Sequence, residues 1–141
     1  MYLIVTKTFP PEIGGMQNLM WSLANELSKN YMIKVFADYQ ENHQLFDEQV
    51  SFSIERVGGI KLLRKFRKAQ LIKEFIKKNK LKGIIADHWK SLEYLKTNLK
   101  KICLIHGKEI NHKKGSSLNK RILNVLDNVE IIVANSQYTK D

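Results

Sequence analysis

Phe9-Pro10-Pro11-Glu12-Ile13-Gly14-Gly15-Met16-Gln17 joins an apolar run, Tyr2 to Thr6, to a segment whose apolar residues recur every three or four positions. The two prolines restrict the backbone on the way in. The glycine pair permits positive φ and leaves no Cβ in the way, so a ligand can approach the backbone where the following helix offers free N–H groups. Such a helix start favours anions, with a phosphate or diphosphate as the natural guest. A strand-to-helix turn with no ligand satisfies the same spacing.

On either side of this turn the chain alternates between short apolar runs and helical periodicity. Tyr2 to Thr6 predicts a buried strand, and Met16 to Asn30 a helix with the stripe Met16, Leu19/Met20, Leu23, Leu27. Ile33 to Ala37 predicts a second strand. Tyr39 to Glu48 has little periodicity and predicts a loop, and Ser51 to Val57 a strand ended by Gly58-Gly59. From Ile60 to Lys78 the spacing predicts a long amphipathic helix with Leu62, Leu63, Phe66, Leu71, Ile72, Phe75 and Ile76 on its core side. Gly83 to Ala86 predicts a strand closing on Asp87-His88-Trp89, and a short helix runs through Leu92 and Leu95. The strand Ile102 to Ile105 leads into His106-Gly107-Lys108-Glu109. After the helix Leu118 to Leu126, the strand Glu130 to Ala134 delivers Asn135-Ser136.

This alternation predicts one α/β domain over residues 1–141, a doubly wound, Rossmann-like parallel sheet with helices on both faces. In such sheets ligands bind outside the carboxyl ends of the strands. Four polar loops fall there: Gly14-Gly15, Asp87-His88, His106-Gly107 and Asn135-Ser136.

Composition narrows the classes. Hydrophobic content of 43% and charged content of 27% suit a globular domain, and no apolar run nears the roughly 20 residues of a membrane span. Tyr2 to Val5 is shorter than the ~7 residues of a signal-peptide core and has no basic leader, which points to the cytoplasm. Cys103 lies in an apolar run and reads as a buried thiol, and Trp89 as a core residue. Adjacent glycines are not a G-x-G-x-x-G fingerprint, and there is no Walker A loop and no G-x-S-x-G elbow. His43, His88, His106 and His112 show no metal-ligand spacing, so no metal and no bound cofactor is expected.

The charge is local. Ten basic residues and one acid, Glu74, lie between Lys61 and Lys82, so this segment carries +9 of the net +10. A single basic segment points to an anionic partner.

Pro10-Pro11-Glu12-Ile13-Gly14-Gly15 before a Leu/Ala-rich helix, His106-Gly107-Lys108-Glu109 after a strand, and Ala134-Asn135-Ser136-Gln137-Tyr138-Thr139 after the next together resemble the amino-terminal half of a retaining GT-B glycosyltransferase of family four. The resemblance covers nearly the whole chain. It implies a domain that binds mainly the acceptor, a glycan or lipid-linked sugar, opposite a donor-binding domain or subunit that holds most of a nucleotide-diphosphate sugar. It places Gly14 and Gly15 toward the donor diphosphate and His106, as the catalytic residue, beside the transferred sugar. It places Ser136 in the interdomain cleft; Glu12 and Glu109 are read as acceptor contacts or as solvated loop acids, and His88 as an acceptor-side residue or a cap of the following turn. Because the sequence stops at Asp141, before the family's basic phosphate clamp and paired glutamates, the resemblance also implies that this chain alone does not turn over. A non-catalytic binding module that recruits a partner to anionic membrane, or a nucleotide-binding regulatory domain, remains compatible with the same fold.

The basic helix is expected to lie on the inner face of an anionic membrane through Arg64, Lys65, Lys68 and Lys78, by charge and without apolar insertion. A helix that packs on the sheet with a solvated basic outer face fits the pattern equally. Nucleic acid is disfavoured, since Phe66 and Phe75 belong to the expected apolar stripe and form no stacking face.

Overall fold

A computed structural model describes residues 1–108 and 112–134. Its elements are β1 (Tyr2–Val5), α1 (Gly15–Ser28), β2 (Ile33–Asp38), α2 (Gln44–Gln49), β3 (Ser53–Val57), α3 (Lys61–Lys78), β4 (Gly83–Ala86), α4 (Trp89–Leu92), β5 (Lys101–Ile105), α5 (Ser117–Leu126) and β6 (Ile131–Ala134). The six strands form one sheet in the order β3-β2-β1-β4-β5-β6, with every pairing parallel. The expected doubly wound α/β architecture is therefore present.

Alternate residues of the central strands feed two cores, as the period of two requires. Leu3, Val5, Ile84, Ala86 and Cys103 meet Ile72 of α3, Trp89 and Leu92 of α4, and Ile122 and Val125 of α5. Ile4, Val35, Ala37, Ile85 and Leu104 meet Met20 and Ala24 of α1, with Phe9 and Phe52 closing that side. Trp89 and Cys103 are core residues, as the sequence suggested.

Two expectations need correction. Residues 44–48 of the expected loop, with Gln49, form α2, a single helical segment too short for its periodicity to register. The apolar stripe of α3 also divides. Ala69 and Ile72, with Leu71, Phe75 and Ile76, face the core, whereas Leu62, Leu63 and Phe66 point outward.

The register places Val5 of β1 level with Phe36 of β2 and Ala86 of β4, so β1 and β4 end together and β2 runs two residues further, to Asp38. Strand order reverses between β1 and β4, and the crevice above that reversal is where a sheet of this kind takes its ligands. No helix among the described residues is long and apolar enough to cross a membrane.

Candidate functional site

Asp87 occupies the reversal point. It follows β4 directly and is almost fully buried, and its carboxylate is satisfied on both oxygens. Oδ2 accepts from the Thr6 hydroxyl at 2.8 Å and from the Lys7 amide at 2.9 Å. Oδ1 accepts from the Ser91 hydroxyl at 2.6 Å. One side chain thus ties the end of β1 to the end of β4 and to α4. A buried carboxylate is tolerated here because each of its oxygens has a donor.

The same residue orients the candidate histidine. Nε2 of His106, just past β5, donates to the Asp87 carbonyl at 2.8 Å. A carbonyl can only accept, so this bond places a proton on Nε2. The rings of His106 and His88 are nearly parallel, with centroids 6.5 Å apart. Nδ1 of His88 accepts from the Lys90 amide at 3.1 Å and caps α4, which gives this residue a structural task besides its place at the crevice.

On the far side of β1 lies the Gly-Gly turn. Gly14 is the N-cap of α1 with φ 169° and ψ 165°, an extended conformation that any residue adopts. The left-handed backbone that glycine permits is therefore not used at Gly14, and the described glycines in that region are Gly59, Gly107 and Gly115. Space is the property that counts. A Cβ at Gly14 would lie 2.3 Å from Oε1 of the buried Gln17, whereas a Cβ at Gly15 would meet nothing within 4 Å. The start of α1 is thus open at Gly15.

Residues that the sequence did not single out hold the turn in place. Arg56 of β3 donates from Nη2 to the Pro10 carbonyl and lies over the Phe9 ring. Asp47 of α2 fixes that guanidinium through both carboxylate oxygens, at 2.7 and 3.1 Å, and also pairs with Nδ1 of His43 at 2.8 Å. The Gln40 amide, turned to satisfy both neighbours, donates to the Phe9 carbonyl at 3.0 Å and accepts from the Glu12 amide at 3.1 Å. A polar residue two positions after β2 was the available signal for Gln40. Asp47 was hidden because its segment read as a loop.

Beside the turn, Lys7, Thr8, Glu12, Asp38, Tyr39, Gln40 and Arg64 line a cleft of about 380 Å³ at the ends of β1 and β2. Two of the cations expected at a membrane belong to this region. Lys68 is only 7% exposed, donates to the Thr6 carbonyl at 2.8 Å and pairs with Asp38. Its assignment to the membrane face is corrected accordingly, because an ammonium bonded to the buried Thr6 carbonyl and to the part-buried Asp38 is turned inward. Arg64 reaches Asp38 at 3.4 Å and the Gly59 carbonyl at 3.0 Å, so it too turns toward the cleft. Lys65 and Lys78 remain exposed.

Glu12 stands exposed on the cleft rim. Glu109 and Ser136 lie outside the described residues. No cluster of three or more potential metal ligands occurs among the described residues. A second cleft of similar volume, lined by Lys101, Asn128 and Glu130, lies at the opposite, amino ends of β5 and β6. There the Lys101 ammonium is satisfied by the carbonyls of Thr97 and Asn128, which fits a structural role.

No protein-family model matches the chain, and no curated protein matches it. Among solved structures it is similar to the crystal structure of Anabaena Alr3699/HepE in complex with UDP, with a TM-score of 0.70 and 15% sequence identity. The match covers 99% of this chain and 38% of that one, so the chain spans well under half the length of its structural neighbour. At this identity the likeness is one of fold, and it accords with a Rossmann-like half of a GT-B architecture.

Proposed function

We propose that this chain is the acceptor-binding half of a glycosyltransferase that moves a sugar, with retention, from a nucleotide-diphosphate sugar to a glycan or lipid-linked acceptor. The observation that carries the proposal is the Asp87 knot, which fixes the backbone leading to the Gly-Gly turn and the ring of His106 about one reversal point of the sheet. The resemblance in three motifs and the fold likeness to a UDP complex support the same reading.

In this reading the roles divide by chemistry. The open start of α1 at Gly15 faces the donor diphosphate, where backbone amides and the helix dipole stabilise the charge that builds as the anomeric carbon leaves the phosphate oxygen. His106, oriented by the Asp87 carbonyl, stands beside the transferred sugar. The cleft next to the turn takes the acceptor. Glu12 and Asp38 supply acceptors, Lys7 and Arg64 supply donors, Gln40 supplies both, and Tyr39 offers a half-exposed ring, a mixture suited to sugar hydroxyls and a sugar face. His88 joins the acceptor side at the crevice, and Glu109 and Ser136, outside the described residues, are assigned to it from the sequence alone. A donor-binding domain or subunit supplies the cations that a diphosphate leaving group requires.

The test is calorimetry and transfer assay with UDP- and GDP-sugars, on the chain alone and joined to a donor-binding half. The chain alone gives no saturable heat, and the joined protein transfers sugar. Micromolar binding of a nucleotide sugar by the chain alone would overturn the division of labour.

A further inference from the structure

The first two turns of α3 present an apolar surface that the protein itself does not cover. Ile60, Leu62, Leu63 and Phe66 are 70%, 79%, 58% and 47% exposed, and none of them belongs to either core. Clustered exposed apolar groups with a polar rim mark an interaction surface. The later outward positions of the same helix, Gln70, Lys73, Glu74 and Lys77, are polar, so the apolar character is confined to one end. That end follows β3 through Gly58-Gly59 and therefore lies at the carboxyl side of the sheet, where Arg64 lines the cleft.

The rim is cationic throughout. Lys61, Lys65 and Arg67 are exposed around the apolar tips, and no acid occurs between Ile60 and Lys73. Lys65 is held in place, with Nζ 3.3 Å from the Tyr94 hydroxyl and above the rings of Phe66 and Tyr94 at 5.1 and 5.0 Å. Phe66 and Tyr94 are themselves packed, with centroids 4.4 Å apart. The rim is thus partly ordered before anything binds.

We propose that this end of α3 docks on an anionic lipid bilayer, with Ile60, Leu62, Leu63 and Phe66 entering the boundary between headgroups and acyl chains and Lys61, Lys65 and Arg67 meeting the anionic headgroups. Aliphatic tips projecting from the end of a helix whose own sequence from Ile60 to Lys73 supplies cations and no acid match a surface that is apolar within and negative at its boundary. Contact through Arg64 and Lys68 is replaced, since both side chains turn inward, and insertion of apolar tips becomes part of the contact. This surface stands independently of the transferase reading, and its test measures no transfer.

The test is co-sedimentation of the full chain with vesicles of phosphatidylcholine alone or of equal parts phosphatidylcholine and phosphatidylglycerol. Binding is expected to the anionic vesicles only. The Leu62→Ser/Leu63→Ser/Phe66→Ser variant and the Lys61→Gln/Lys65→Gln/Arg67→Gln variant should each lose about tenfold or more, whereas Lys73→Gln/Lys77→Gln, further along the helix, should stay within about twofold of the parent. Circular dichroism on each variant secures the fold, which is expected to survive because all these side chains are exposed. Undiminished binding by the serine variant would overturn the insertion, as would equal losses in all three. A dimer that the serine variant dissolves, with no vesicle binding by the parent, would assign the patch to a second copy of the chain and overturn the lipid proposal.

Discussion

Nε2 of His106 donates to the Asp87 carbonyl across 2.8 Å, while the Asp87 carboxylate takes the Thr6 hydroxyl and the Lys7 amide. The loops after β1, β4 and β5 are therefore coupled through one residue, and a change of the Asp87 side chain can reach the candidate histidine through the Asp87 carbonyl.

Asp87→Ala leaves the Thr6 hydroxyl, the Lys7 amide and the Ser91 hydroxyl without their shared acceptor. It should destabilise the fold by about 3 kcal/mol in urea unfolding. A change below about 0.5 kcal/mol would mean that the knot contributes nothing to the fold.

The two orientations within α3 are separated by a pair of variants. Lys68→Met strips the Thr6 carbonyl and Asp38 of a buried ammonium and should cost about 3 kcal/mol, whereas Lys78→Met, on the exposed side, should stay within about 0.5 kcal/mol. Similar costs for both would place Lys68 at the surface after all.

The order of the strands and of every helix but α2 was legible in the sequence because β1, β4 and β5 are short apolar runs set between periodic segments, and the crevice followed from where those runs end. The direction of Lys68 was not legible. A lysine reads as solvated unless a partner is known, and Asp38 is thirty positions away in the chain. Leu62, Leu63 and Phe66 misled for a related reason: their spacing fits an apolar stripe, but it does not say that the first turns of α3 overhang the sheet. Arg56 escaped notice because its contacts, Pro10 and Asp47, come together only when α2 forms.

Gly14 and Gly15 should respond differently to an added side chain. Gly14→Val places its Cβ on the Gln17 amide and should lower stability by about 1–3 kcal/mol. Gly15→Val meets open space and should cost less than about 1 kcal/mol in the fold, with its effect reserved for the diphosphate side of a complete enzyme. Equal unfolding midpoints for the two variants would contradict this account of the turn.

Acid should weaken the far end of the sheet. The Lys101 amide donates to Glu130 at 2.6 Å, and this backbone hydrogen bond holds the Glu130 carboxyl below its ordinary value, against a smaller opposing effect of burial. With the folded value depressed, the stabilisation is fully present above the ordinary glutamate range and is lost as pH falls through it toward the folded value. Urea midpoints of the parent and of Glu130→Gln should therefore converge as the solution is acidified through that window. A constant gap between them would show that the bond does not favour the charged form.

The most direct measurement is nucleotide release and sugar transfer by this chain assembled with a donor-binding half, for the parent, Gly15→Val and His106→Ala. The account predicts transfer that requires both halves and falls by about 10²-fold or more in each variant, with the folded state retained. Transfer close to the parent in both variants would place the reacting sugar away from the β1/β4 reversal and contradict the assignment of the cleft.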